Sequence, residues 1–208
     1  MLRRFICYTS AVLCVLQLSA CVPVLFGTVA AGGGAILTDR RSAAVQTMDR
    51  ALQIETERDL HKQFGKKINL EVTVFNRKIL LTGMVPSAER KQEVEDLVKQ
   101  TQSPRAIFNE IIVGDFSTSS KVSDATITSS VKTALLATRG IPSNSIRVTT
   151  AAGVVYLMGL VTDPEAQAAA HVASKILGVQ RVVKLFEYIS IEERDRLDRT
   201  TPVTDEKK

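Results

Sequence analysis

All three cysteines of this 208-residue chain stand within its first 21 positions. The last of them closes Leu18-Ser19-Ala20-Cys21, where small residues end an apolar run of about 14 residues, 5–18, that follows Arg3 and Arg4. A basic start, an apolar core and small residues before a cut are the parts of a bacterial export signal. The core is shorter than the ~20 apolar residues that a lasting membrane helix needs. The pattern therefore predicts a removable export signal at the start of the chain. Cys7 and Cys14 leave with the signal. Beyond Cys21 the chain carries no further thiol for a disulfide, a thiolate metal site or a cysteine nucleophile.

Other candidate chemistry is sparse. His61 and His171 fall on expected helices with no carboxylate or cysteine at ligand spacing. Glu55-Thr56-Glu57 and Glu93-Val94-Glu95-Asp96 read as solvated helix faces rather than acid–base pairs. Gly32-Gly33-Gly34 is not followed by the Lys-Ser/Thr and helix that a phosphate loop requires. Gly-x-Ser-x-Gly, His-Glu-x-x-His and Ser-x-x-Lys in a supporting context do not occur. The expectation is a protein without catalysis, metal or cofactor.

Leu18 to Cys21 resembles the lipobox of bacterial lipoproteins. That resemblance implies a diacylglyceryl thioether on Cys21, cleavage just before it and acylation of the new amine. Each buried methylene contributes about 0.8 kcal/mol, so two or three chains hold a protein on a membrane where one binds only reversibly. Val22 stands where an Asp would favour retention in the inner membrane. The implied address is the outer membrane, lipid-anchored, with the chain on the periplasmic side.

The formal charge is +5, of which Arg3 and Arg4 supply two. Basic residues are dispersed, the longest runs being pairs such as Arg40-Arg41 and Lys66-Lys67. Nucleic-acid proteins carry denser patches, so no nucleic-acid partner is expected. A mildly basic face suits anionic lipid head groups.

Residues 21–41 read as a lipidated stalk rich in small residues. Val45, Met48, Leu52, Leu60 and Phe64 then recur at helical spacing. Ile68, Leu70, Val72 and Val74 alternate as a strand with one buried face. A turn at Asn76-Arg77 leads to a second strand, 79–85. Ser87 caps a helix with Val94, Leu97 and Val98, and a third strand, 107–113, closes the unit 42–114. Residues 115–121 read as a linker. The order then repeats over 122–191: a helix with Ile127, Val131 and Leu135; a strand with Ile146 and Val148; a turn at Ala152-Gly153; a strand, 154–161. Asp163 is the expected cap and Pro164 the first residue of a helix carrying Val172, Ile176 and Leu177. A strand over 182–191 ends the repeat, and 192–208 reads as a charged tail, helical for a turn or two and then disordered.

The repeat is an internal duplication at an offset of 76: Leu70 meets Ile146, Val72 meets Val148, Leu81 meets Leu157, Gly83 meets Gly159, and Glu89 meets Glu165. Both copies carry Leu-x-Gly-x-Val. A glycine inside a strand marks close approach by a neighbour or a bulge, and the expected neighbour of Gly83 and Gly159 is a helix packed across the sheet.

An α-β-β-α-β unit with that glycine, present twice behind a lipobox, resembles the BON domain. More closely, the chain is similar to the dual-BON outer-membrane lipoproteins, the division- and outer-membrane-stress-associated lipid-binding proteins. The match is carried by Thr38 to Ser42, Lys78 to Gly83, Ile146 to Ala170 and Gly178 to Val183. The implied fold is α+β: two tandem domains, each with helices on a small three-stranded mixed sheet, folded against each other. The implied function is upkeep of the outer-membrane barrier by binding anionic phospholipid, phosphatidylglycerol or cardiolipin, through the first helix of the second domain. On this chain that helix offers Thr126, Ile127, Ser130, Val131, Lys132 and Leu135, with Arg139 beyond them. Lys132 and Arg139 would meet phosphate while Ile127 or Leu135 enters the acyl boundary. The same three apolar residues also read as plain core. Thr126 stands where relatives carry an aromatic, a better interfacial anchor. The alternative is a non-catalytic adaptor that docks an outer-membrane assembly or cell-wall protein.

Overall fold

The computed structural model describes residues 39–65, 69–102, 104–114 and 118–200. The signal, the lipobox with Cys21, the stalk up to residue 38, linker residues 115–117 and tail residues 201–208 lie outside them.

The first domain runs α1 (Ala43–Phe64), β1 (Asn69–Phe75), β2 (Lys78–Val85), α2 (Ala88–Gln102), β3 (Ala106–Asn109) and β4 (Ile112–Val113). The second runs α3 (Thr118–Ala137), a 3-10 turn (Ser143–Ser145), β5 (Ile146–Ala151), β6 (Val154–Val161), α4 (Asp163–Ser174), β7 (Arg181–Lys184) and β8 (Glu187–Tyr188), and α5 (Ile191–Thr200) follows. In each sheet the hairpin is antiparallel and its second strand is central, pairing in parallel with the two short pieces that end the domain. The duplication is kept in register: Val72 faces Leu81 as Val148 faces Leu157.

Both hairpins turn through left-handed residues, Asn76 and Arg77 at φ 49° and 61°, Ala152 and Gly153 at 49° and 75°. Such turns match the twist of the strands they join. Each is held by an aspartate from the preceding helix. Asp49 accepts the Asn76 and Arg77 amides at 2.6 and 2.8 Å, and Asp124 those of Ala152 and Gly153 at 2.8 and 2.9 Å.

Helices cover one face of each sheet. Val72, Val74, Ile79, Leu81 and Val85 pack with Leu52, Leu60, Val94 and Val98 in the first core, and Val148, Val155, Leu157 and Val161 with Ile127, Val131 and Leu135 in the second. The other faces meet each other, burying Phe75, Leu80, Tyr156 and Met158 in a third cluster. The two domains therefore share a buried apolar seam, as the family resemblance implied.

Several local expectations are corrected. The buried stripe of α1 is Asp49, Leu52, Thr56 and Leu60, and Met48 is 57 % exposed, because Asp49 has an arginine and two amides to satisfy it. Residues 118–121 belong to α3 and not to a linker. The final strand of each domain is broken in two, at 110–111 and 185–186, and Ile111 and Phe186 turn into the cores. The cap of α4 is Thr162 and not Asp163: Glu165 reaches back to accept the Thr162 amide at 2.8 Å. The buried face of α4 is Ala166, Ala169 and Ala173, while Leu177 lies past its end and is 95 % exposed. Residues 191–200 form a helix tied to the body by Asp198.

Gly83 and Gly159 are tight for a different reason than expected. A side chain on Gly83, whose φ is +119°, would overlap the Asn69 carbonyl oxygen, and one on Gly159 would lie 2.7 Å from the Ser145 carbonyl oxygen. The close neighbour is the backbone at the start of the adjacent strand rather than a helix.

Candidate functional site

The helix α3 is held at the hairpin end of β5. Asp124 binds the hairpin beyond β5, and Thr128 donates to Thr150 on β5 at 2.7 Å. These contacts fix the rotation of α3 and so decide which residues reach solvent. Ile127, Val131 and Leu135 are at most 4 % exposed and belong to the second core. The expectation that Ile127 or Leu135 meets an acyl boundary is therefore corrected, since neither can leave the sheet without unfolding the domain. Thr126, Ser130, Lys132 and Arg139 are exposed. The apolar residue among them is Leu136, one position on from the expected one and 70 % exposed. It stands one turn after Lys132, an i, i+4 spacing that shares a helix face, and Arg139 follows in the turn just past the helix end at Ala137.

A second built feature is the arm 39–42, where the chain enters the first domain. All five N–H donors of the Arg40 guanidinium are used. Nη1 and Nη2 grip Glu165 in a fork at 2.8 Å each, Nε and Nη2 reach Asp198 at 2.9 and 3.1 Å, and Nη1 also donates to the Leu160 carbonyl at 3.0 Å. The Arg40 amide donates to Ser145 Oγ at 3.2 Å. Arg41 turns toward the first domain, donating to Asp49 at 2.7 Å and lying 4.0 Å over the Phe75 ring. Burial alone would lower the Arg40 pKa, but Glu165 and Asp198 outweigh it and hold it above the ordinary value. Burial would likewise raise Glu165, yet Arg40 and the Thr162 amide keep its carboxyl below the usual range. The arm thus ties the chain's entry point to the second domain and to α5.

Between the free edges of β1 and β5, beside α3, lies an open cleft of about 760 Å³. Lys132 and Arg147 line it with Asn69, Glu71, Asp124 and Ser129. Desolvation first, and then the positive charge of Arg41, lower the Arg147 pKa.

His61 and His171 are both exposed. Among the described residues no group of three or more His, Cys, Asp and Glu could hold a metal ion, and no helix is long and apolar enough to cross a membrane. Sequence reasoning missed Asp49 and Asp124 because an acid on a helix reads as surface. Their spacing was the available signal, since each precedes its hairpin by 27 or 28 residues.

Comparison with known proteins bears on the whole arrangement. The BON domain family matches residues 53–115 and again 123–190. The chain is 32 % identical over 174 residues to the outer membrane lipoprotein DolP of Haemophilus influenzae, covering 79 % of this chain and 90 % of that protein. It is 31 % identical to the 21 kDa hemolysin of Actinobacillus pleuropneumoniae, over 73 % of this chain and 79 % of that one. An uncharacterized protein of Anaplasma centrale is 30 % identical over 65 % of this chain and 91 % of its own length. Two family matches, each falling on one α-β-β-α-β unit, make this chain a member of the BON domain family with the domain present twice.

Proposed function

We propose that this protein is an outer-membrane lipoprotein, anchored through acyl chains on Cys21, whose second domain rests on anionic phospholipid through the exposed face of α3. The anchor and address are supported by the lipobox and by the likeness to a protein named as an outer membrane lipoprotein. The observation that carries the lipid contact is Leu136, 70 % exposed, with Lys132 and Arg139 on either side of it. Thr126 and Ser130 extend the polar border of this face.

The magnitudes explain why an anchor is needed. Burying one leucine side chain is worth about 1.5–3 kcal/mol, and each cation beside an anionic surface about 1 kcal/mol. The sum is roughly 4 kcal/mol, a Kd near 1 mM. That is too weak for a free protein but effective for one already tethered, where the contact becomes intramolecular. The lipid chains supply residence and the helix supplies orientation and preference for negative head groups.

Vesicle flotation of the mature chain, residues 21–208 with Cys21→Ser, tests this. Recovery on vesicles containing phosphatidylglycerol or cardiolipin should exceed recovery on neutral ones and fall about tenfold with Leu136→Glu. Equal recovery on neutral and anionic vesicles would overturn the reading. Leu135→Glu should instead unfold the second domain, since that side chain is core.

A further inference from the structure

The duplication repeats a receptor for an arginine, and the arm 39–42 supplies that arginine to the first copy. There Asp49 accepts the amides of Asn76 and Arg77 and, in addition, Nη1 of Arg41 at 2.7 Å. The arm also touches Ser145, the Leu160 carbonyl and the Phe75 ring. The counterparts of these four groups are Asp124, Asn69, Met84 and Ala151, and all four line the cleft of about 760 Å³. Asn69, Met84 and Ala151 follow from the offset of 76. The backbone agrees, since the Asn69 carbonyl crowds Gly83 as the Ser145 carbonyl crowds Gly159. Asp124 matches Asp49 through its identical hold on a hairpin turn.

The two aspartates differ in what covers them. Each oxygen of Asp124 takes one amide, and a carboxylate oxygen can accept more than one donor. Among the described residues no cation pairs with it. Asp49, under Arg41, is 3 % exposed, whereas Asp124 is half-buried and faces the cleft. The charges of the lining favour a cation. Arg147 already answers to Asp39 and Asp49 of the occupied side, which leaves Glu71 and Asp124 against Lys132. Glu71, itself bonded within the fold, stands at the counterpart of Arg147, so an acid replaces the guanidinium that lies near Arg41. Ala151 in place of Phe75 leaves the space of an aromatic ring. Glu89, the counterpart of the Glu165 that grips Arg40, does not line the cleft, so the fit is to one arginine and not to a pair. A second copy of this chain is not the source, because its own Arg40 and Arg41 are engaged in the same way.

We propose that the cleft between β1 and β5 docks an extended segment of another protein through one arginine, whose guanidinium reaches Asp124 as Arg41 reaches Asp49. Charge-assisted hydrogen bonds from a guanidinium to a carboxylate are directional and roughly twice as strong as neutral ones, so the arginine fixes the register of the segment. An ammonium lacks the planar fork and is a poorer match. The partner is a protein and the site is a cleft wall, so this docking does not rest on the lipid contact of α3.

The probe is the arm itself, a peptide of residues 39–44 blocked at both ends, titrated into the mature chain, Cys21→Ser, and followed by amide chemical shifts. Saturable shifts gathered at Asp124, Ser129 and Ala152 support the site. Because Asp124 also holds the hairpin, the arginine is removed from the peptide and the protein is left intact. The Arg41→Gln peptide should bind at least tenfold more weakly, and the Arg40→Gln peptide within about twofold of the parent peptide. Lys132→Glu in the protein should tighten peptide binding at least threefold while weakening flotation on anionic vesicles, so the cleft and the lipid-facing helix respond in opposite directions. The proposal is overturned if millimolar peptide leaves the cleft amides unmoved, if the Arg41→Gln peptide binds as the parent does, or if Lys132→Glu fails to tighten binding. It is equally overturned if the shifts are confined to Ser145 and Asp49, which would mean exchange with the chain's own arm. Raising the protein concentration without peptide should leave the cleft amides in place, and shifts there would assign the cleft to a second copy and overturn the proposal.

Discussion

The hydroxyls of Thr73 and Thr149, one repeat apart at a separation of 76 residues, meet at 3.0 Å in the buried seam. Equivalent positions of two repeats touch only near an axis relating them, so the domains face each other much as two subunits face across an isologous interface. Leu80 and Tyr156, also counterparts, lie in the same seam cluster. The duplication is therefore expressed in the assembly as well as in each fold.

Tyr156 is the largest side chain in that seam, 2 % exposed, with its hydroxyl donating to Glu110 at 3.3 Å. Tyr156→Ala should cost about 3–5 kcal/mol, the range for emptying an aromatic site, and Tyr156→Phe about 1 kcal/mol. Burial, reinforced by Glu110, pushes the phenol pKa up to about 12. A raised folded pKa means that this stabilisation is complete below the ordinary value of 10.0 and is lost as pH climbs toward 12. Urea denaturation at pH 9 and pH 11 should show the parent losing stability that Tyr156→Phe keeps. An identical loss in both would contradict this.

Arg40→Ala leaves Glu165 buried without its cation, and removing one partner of a buried pair costs about 3–5 kcal/mol. Glu165 has a depressed folded pKa, so its contribution is present above its ordinary value of 4.5 and disappears as pH falls through the lower folded value. The parent should therefore lose stability on acidification below pH 4.5, and Arg40→Ala should lose less over the same range. Parallel pH profiles for the two proteins would show that the fork contributes nothing. Arg40→Lys should behave more like the alanine variant than like the parent, because an ammonium cannot form the fork to Glu165 while reaching Asp198 and Leu160.

Much of this was legible in the sequence, and the reason is local. Alternating apolar residues, a two-residue turn and a cap are decided by neighbours a few positions away. β1, β2, β5 and β6 therefore appear where the pattern puts them. The candidate lipid site was legible only to within one residue. Leu135 and Leu136 are chemically identical, and their fates were set by how Asp124 and Thr128 hold α3 on β5.

Gly83 and Gly159 give a prediction that separates two costs. Gly159→Val should destabilise the second domain by about 1–3 kcal/mol through crowding against the Ser145 carbonyl. Gly83→Ala should cost more than Gly159→Ala, since Gly83 adds a φ of +119° that side chains rarely adopt. Thermal melts of the two alanine variants measure the difference, and equal melting temperatures would refute it.

Cys21 lies outside the described residues, and its chemistry is open to direct measurement. Mass spectrometry of the native protein should find a first residue heavier by a diacylglyceryl group and one further acyl chain. Cys21→Ala should accumulate as unprocessed or misplaced precursor. Normal outer-membrane fractionation of that variant would remove the basis for anchoring.

The sequence by itself determined the duplication, the order of elements, the hairpin turns and the family, because each is written in spacing along the chain. Tertiary structure decided what no spacing contains. It paired Arg40 with Glu165 and Asp198 across 125 and 158 residues, and buried Asp49 in place of Met48. Burial and ion pairing depend on which distant groups arrive to satisfy a charge, and only folding brings those groups together.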